Sequence, residues 1–230
     1  MHITFDFDGT IAKTTEFHRI GWKKTLEFLC IDKTLEEFLP YEKGALGRFD
    51  SYEKIKNSIM SNPNTYKLLC SKFGETNPFL NSYKIMDIKE GFTVSEILNQ
   101  SHLELVSYLA TNFMLLLDNL VELKATVGVL SSSRKLIVSS YLSAVHLTDY
   151  FKYILGEEDL YNSENCLLDK PNRYGGKVIK EHIGTLPNFY IGDNDTDKHF
   201  ARNIGVKYLH LDYSQDSTQI VDNIYEAKNM

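Results

Sequence analysis

Cysteine, proline and tryptophan are scarce in this chain, and long apolar runs and a basic excess are missing. Three cysteines occur in 230 residues, Cys30, Cys70 and Cys166. They are widely spaced, cannot all pair and form no C-x-x-C, so the expectation is reduced thiols in a cytoplasmic protein rather than a disulfide framework. The richest apolar stretch, residues 113–117, stops at Asp118, far short of the ~20 residues that a membrane span needs. No signal-like apolar stretch opens the chain, because Asp6 and Asp8 interrupt it. There are 25 Lys and Arg against 31 Asp and Glu, a formal charge of −6. Neither nucleic acid nor an anionic membrane is therefore an expected partner, since no basic excess exists to neutralise phosphates.

What is present is enough for a core. Hydrophobic residues make up 43 % of the chain and aromatics 12 %, which excludes a disordered chain and suits one large domain or a domain with an insert. Ile3-Thr4-Phe5-Asp6-Phe7 reads as a short buried strand ending at Asp8-Gly9-Thr10. Helical text follows over residues 14–29, 35–41, 51–60, 66–73 and 95–123, broken by Pro40, Gly44, Gly47, Pro63, Gly74, Pro78 and Gly91. The run Leu115-Leu116-Leu117 reads as core. Strand-like segments then alternate with helical ones: strands over 125–130, 153–155, 188–191 and 207–211, helices over 135–145, 177–183, 199–204 and 219–228. That alternation predicts βαβ units and a parallel sheet. The expected fold is α/β, a doubly wound parallel sheet with an inserted all-helical domain. The sheet domain would comprise residues 1–13 and 113–230, and the helical insert 14–112.

Three polar clusters fall at predicted strand ends: Asp6-Phe7-Asp8-Gly9-Thr10, Ser131-Ser132-Ser133 and Gly192-Asp193-Asn194-Asp195-Thr196-Asp197. Ligands of open parallel sheets bind at that edge. Two carboxylates held close repel unless a cation lies between them or one carries a proton, and Mg²⁺ suits hard oxygen ligands. Asp193 could add a third acid. Asp-Gly also occurs in ordinary turns. The serines could bind phosphate oxygens through hydroxyl and backbone N–H groups, or simply cap the following helix.

These residues resemble the motifs of the haloacid dehalogenase superfamily. DFDGT at 6–10 is similar to its first motif, VGVLS ending at Ser131 to its second, and Gly192-Asp193 with Asp197 to its fourth. The insert resembles the helical C1 cap of the superfamily, and residues 15–23 its first helix in the phosphoglycolate phosphatase and β-phosphoglucomutase branch. The resemblance implies a Mg²⁺-dependent phosphatase acting on a small phosphorylated metabolite. Asp6 would be the nucleophile and Asp8 the general acid and base, touching metal through its backbone carbonyl. Asp6 and Asp193 would hold Mg²⁺, Asp197 would support the site, and Ser131 with the Ser132 N–H would bind a phosphoryl oxygen. The phosphate-binding lysine is either Lys170, in a Lys-Pro pair, or Lys177. Gly175 and Gly176 would weaken a helix opening at Lys170, at about 1 kcal/mol each, which favours Lys177. From the insert, Arg48 in a glycine-framed loop and His18 on the first helix are candidate specificity residues, in a cap expected to close over the substrate. A phosphosugar mutase would use the same residues, and a catalytically silent phosphate-binding or signalling module is the alternative of another class. A monomer or small homo-oligomer is expected.

Overall fold

The computed structural model describes residues 1–29, 57, 60–73 and 83–229. Expected helices at 35–41 and over most of 51–60, and the candidate Arg48, lie outside the described residues. The chain divides into two units, Met1–Thr15 with Gln100–Met230, and Glu16–Asn99.

The first unit is built on five parallel strands: β1 (His2–Phe5), β2 (Thr126–Leu130), β3 (Tyr153–Leu155), β4 (Phe189–Gly192) and β5 (Lys207–His210). Their order is β3-β2-β1-β4-β5. The chain therefore winds outward from β1 through β2 to β3, then returns to the other side of β1 for β4 and β5. Parallel strands need covered faces, so β1 is buried at all four positions and reads as a continuous run. On one side Phe5 meets Phe113 edge to face, with ring centroids 5.6 Å apart. On the other, Leu130, Tyr153, Tyr190, Val178, Ile179 and Phe200 form a single cluster. Full burial of each such side chain contributes about 1.5–3 kcal/mol.

Glycine in the middle of β2 has a packing cause. A Cβ on Gly128 would lie 2.1 Å from the Tyr153 ring. The ring crosses that gap to place its hydroxyl 2.5 Å from Thr4 Oγ1 and 2.8 Å from His2 Nε2. Burial thus leaves these polar side chains bonded to one another.

Helices cover the sheet. Residues 95–123, expected as one helical stretch, instead contain the end of one helix and two more. A capping box closes on Ser101, whose hydroxyl accepts from the Glu104 N–H while the Glu104 carboxylate accepts from the Ser101 N–H. The S-x-x-E signal was present in the sequence and outweighed periodicity. Leu115, expected as core, is 51 % exposed while Leu116 and Leu117 are fully buried, because successive helical positions are 100° apart.

The second unit, described by itself, contains α1 (Thr15–Phe28), α2 (Pro63–Phe73) and α3 (Tyr83–Asn99). Phe17, Trp22 and Leu26 are buried on α1, and Ile85 and Ile97 on α3. Lys24 Nζ lies 2.7 Å from Glu96 Oε2 between α1 and α3. The first unit continues with α4 (His102–Ser107), α5 (Phe113–Glu122), α6 (Lys135–Ala144), α7 (Tyr174–Ile183), α8 (Asp195–Ile204) and α9 (Gln219–Asn229).

Candidate functional site

The reversal of winding lies at β1, and the carboxyl ends of β1, β2 and β4 converge there. Asp6 follows β1 directly, and its N–H donates to the Ile191 carbonyl at 2.7 Å. The chain then winds tightly: the N–H groups of Thr10, Ile11 and Ala12 all point to the Phe7 carbonyl, at 3.3, 2.9 and 3.2 Å. Gly9 enters this turn at φ +83°, a left-handed conformation that glycine takes without steric cost. A Cβ there would also stand 2.5 Å from Asp193 Oδ2. The turn brings the Thr14 hydroxyl to Asp8 Oδ1 and the Thr10 hydroxyl to Asp193 Oδ1.

Ser131, fully buried at the end of β2, donates from Oγ to Asp8 Oδ2 at 3.1 Å and accepts the Ser133 N–H at 2.9 Å. Ser132 donates from Oγ to Asp169 Oδ1 at 2.7 Å. Lys170 is buried with its ammonium 2.7 Å from Asp6 Oδ1 and 2.6 Å from Asp197 Oδ1. The ammonium also lies 5.7 Å from the centre of the Tyr190 ring, within cation–π range.

Lys177, favoured on helix grounds, is not in this group. Its side chain is 64 % exposed and faces Glu181 one turn along, at 3.7 Å. The two glycines ahead of Lys177 have a packing cause that helix propensity does not register. A Cβ on Gly175 would lie 2.9 Å from Leu130 Cδ2, and one on Gly176 2.6 Å from Ile204 Cγ2. Close packing of α7 therefore demands glycine, and α7 begins at Tyr174, ahead of them. Lys170 precedes the helix, in the loop that reaches the carboxylates.

Four carboxylates, those of Asp6, Asp8, Asp193 and Asp197, thus share a small region with one ammonium. Burial first, and then the neighbouring Asp197 carboxylate, push the Asp6 carboxyl well above the usual carboxylate range, against the pull of Lys170. Burial, followed by Asp197, pushes Asp193 up to about 6. Burial opposes the Lys170 charge, yet Asp197 and Asp6 outweigh it and hold the ammonium well above the ordinary lysine pKa.

Such a set fits a divalent cation. Asp6, Asp193 and Asp197 each offer an oxygen within 4.8 Å of the others. Asp197 is fully buried at the start of α8, and its Oδ2 has no hydrogen-bond partner among the described residues, an unmet need that a hard cation would satisfy. The Asp8 carboxylate is not in this cluster: it is turned to Ser131 and Thr14. Asp197, expected as a supporting residue, stands among the potential ligands.

Four residues beside the site escaped the sequence reading. Thr14 and Asp169 each orient a site residue through a side-chain bond. Tyr190 donates to the Leu130 carbonyl at 3.1 Å beneath Lys170. Asn194 caps α8 by accepting the Asp197 N–H at 3.2 Å, and its position ahead of an acidic first turn was a readable signal. In the helical unit His18 is buried, with its Nδ1 2.7 Å from Nζ of the buried Lys89. That ammonium lies 5.8 Å from the Trp22 ring centre. No described helix is long and apolar enough to cross a membrane.

Residues 3–211 match the family model of the haloacid dehalogenase-like hydrolases. Among solved structures, a predicted phosphoglycolate phosphatase from Haemophilus somnus is similar at a TM-score of 0.62 and 15 % identity, over 94 % of this chain and 86 % of that one. A CbbY variant from Rhodobacter sphaeroides in complex with xylulose 1,5-bisphosphate is similar at 0.63 and 16 %, over 93 % and 88 %. β-Phosphoglucomutase from Clostridium difficile is similar at 0.61 and 16 %, over 99 % and 96 %. No curated protein matches the sequence.

Proposed function

Because the chain belongs to the haloacid dehalogenase-like hydrolases, we propose that it hydrolyses phosphate monoesters of small metabolites through an aspartyl-phosphate on Asp6. The observation that carries this reading is the division of labour between two carboxylates two residues apart. Asp6 Oδ1 is held 2.7 Å from the Lys170 ammonium, while the Asp8 carboxylate accepts hydroxyl hydrogens from Ser131 and Thr14 instead. One acid is placed against a cation, as a nucleophile facing an anionic phosphoryl group must be. The other is turned to neutral hydroxyls and not to the Lys170 ammonium, a separate placement that leaves it to move a proton to and from the ester oxygen or water.

In the first step an Asp6 oxygen attacks phosphorus and the bond from phosphorus to the ester oxygen breaks. Asp8 gives its proton to the departing oxygen. In the second step water attacks the aspartyl-phosphate, Asp8 takes the water's proton, and inorganic phosphate leaves with the Asp6 carboxylate restored. On substrate binding the Ser131 hydroxyl would turn its hydrogen from Asp8 to a phosphoryl oxygen, and the Ser132 N–H and Lys170 would bind phosphoryl oxygens beside it. Asp6, Asp193 and Asp197 would hold Mg²⁺, with the Asp8 carbonyl as a further oxygen, and the ion would neutralise charge between carboxylate and phosphoryl group. Halide displacement is disfavoured, because family dehalogenases lack an acid at the Asp8 position.

The test is release of phosphate from p-nitrophenyl phosphate and from a panel of phosphorylated metabolites, with Mg²⁺ and with a chelator. Wild type should turn over only with the metal, and Asp6→Asn should lose nearly all activity while keeping its fold. Turnover retained in Asp6→Asn would refute the covalent role. Conversion of a hexose 1-phosphate into the 6-phosphate, in place of free phosphate, would make the protein a mutase.

A further inference from the structure

Asp169 touches neither of the two acids given chemical work, yet it joins two loops that the reaction needs. A single oxygen, Oδ1, accepts the Ser132 hydroxyl at 2.7 Å and the Lys170 N–H at 2.7 Å. Ser132 belongs to the turn after β2 that carries Ser131, and Lys170 to the loop leading into α7. That second loop is also tied at its flanks. The Leu168 N–H donates to the Leu160 carbonyl at 2.9 Å, and Asn203 Nδ2 donates to the Pro171 carbonyl at 2.8 Å.

We infer that Asp169 is a positioning residue that locks the phosphate-binding turn to the lysine loop and withdraws the Ser132 hydroxyl from substrate. This rests on the phosphatase reading above. A serine hydroxyl has one hydrogen, and an ionised carboxylate is an acceptor only. With that hydrogen given to Asp169, Ser132 Oγ has none to offer a phosphoryl oxygen. Recognition at this position is then left to the backbone N–H, whose direction depends on how the turn is held. The bond to a carboxylate is charge-assisted and stronger than one to a neutral acceptor. One oxygen thus ties the donors of the turn to the backbone of Lys170, the point from which its side chain extends to Asp6 and Asp197.

The experiment is steady-state hydrolysis of p-nitrophenyl phosphate by wild type, Asp169→Ala, Asp169→Asn, Ser132→Ala and the double variant Asp169→Ala/Ser132→Ala, with thermal unfolding of each. Asp169→Ala should lower kcat about 10- to 100-fold, the usual cost of loosening a group that orients reacting partners. KM should move far less than kcat, because the site remains but its geometry is lost. Asp169→Asn should recover most of kcat, since the amide oxygen can accept both bonds. The double variant should be no worse than Asp169→Ala, because both changes break one tie. Wild-type kcat in Asp169→Ala, no rescue by Asp169→Asn, or additive losses in the double variant would each overturn the lock. If Asp169→Ala fails to fold, Ser132→Ala and Asp169→Asn decide it: a loss in the first with near-wild-type kcat in the second supports the lock, and any other pairing overturns it. Absence of wild-type turnover on every ester would overturn the phosphatase reading and the lock with it, whereas an active wild type with an indifferent Asp169 would overturn the lock alone.

Discussion

Replacing Lys170 with methionine tests the electrostatic core of the site directly. The ammonium stands 2.7 Å from Asp6 and 2.6 Å from Asp197, and all three side chains are at most 6 % exposed. Methionine keeps most of the stem and removes the charge. Removing one partner of a buried ion pair costs about 3–5 kcal/mol, because the remaining charge has lost its compensation and cannot be rehydrated. Burial and Asp197 already push the Asp6 carboxyl upward. Without Lys170 it takes up a proton more readily, which holds the loss near the low end, about 3 kcal/mol. In a chain of 230 residues, about 3 kcal/mol corresponds to a fall in Tm of about 6–12 °C. Thermal unfolding in a chelator should show that fall. Mg²⁺ in hundredfold excess over its Kd should then stabilise wild type by about 2.7 kcal/mol. It should stabilise Lys170→Met by more, since the variant carries more uncompensated negative charge around the ion. A variant that melts with wild type in chelator, or an equal gain from Mg²⁺ in both proteins, would refute the reasoning.

Other outcomes follow from single contacts. Lys177→Ala should leave kcat/KM unchanged in the phosphatase assay, because the side chain is 64 % exposed and lies 3.7 Å from Glu181; a tenfold loss would restore Lys177 to the site. Gly128→Ala should destabilise by about 1–3 kcal/mol or more through overpacking, read as a shift in the urea midpoint, because the new methyl would collide with the Tyr153 ring. His2 should make folding sensitive to acid. Burial, chiefly, lowers its pKa from 6.5, so the unfolded chain binds the proton more tightly. The associated stability is fully present above pH 6.5 and is lost as pH falls through the lowered folded value. Urea unfolding between pH 7.5 and 5.5 should show a steeper decline for wild type than for His2→Asn, and identical slopes would dismiss the linkage.

The strands and their order of use were legible because short apolar segments ending in acids or serines have few other readings. Their alternation with helices led to a doubly wound parallel sheet with three polar clusters at strand ends, while the order β3-β2-β1-β4-β5 was seen only in the structure. Local signals mattered where periodicity misled: the Ser101–Glu104 box divides a stretch that otherwise reads as one long helix.

The sequence by itself determined that Asp6, Asp8, Ser131 and Asp193 lie at strand ends of a parallel sheet, since strand periodicity and turn residues are local properties of the chain. Tertiary structure alone decided which lysine faces the carboxylates. The two glycines of α7 look like a weakness when counted by helix propensity, but Leu130 and Ile204 leave room for nothing larger. It also decided that Asp197 stands with the potential metal ligands and that Asp169 binds both Ser132 and Lys170. Those are meetings between segments far apart in the chain, fixed by packing distances that no local pattern encodes.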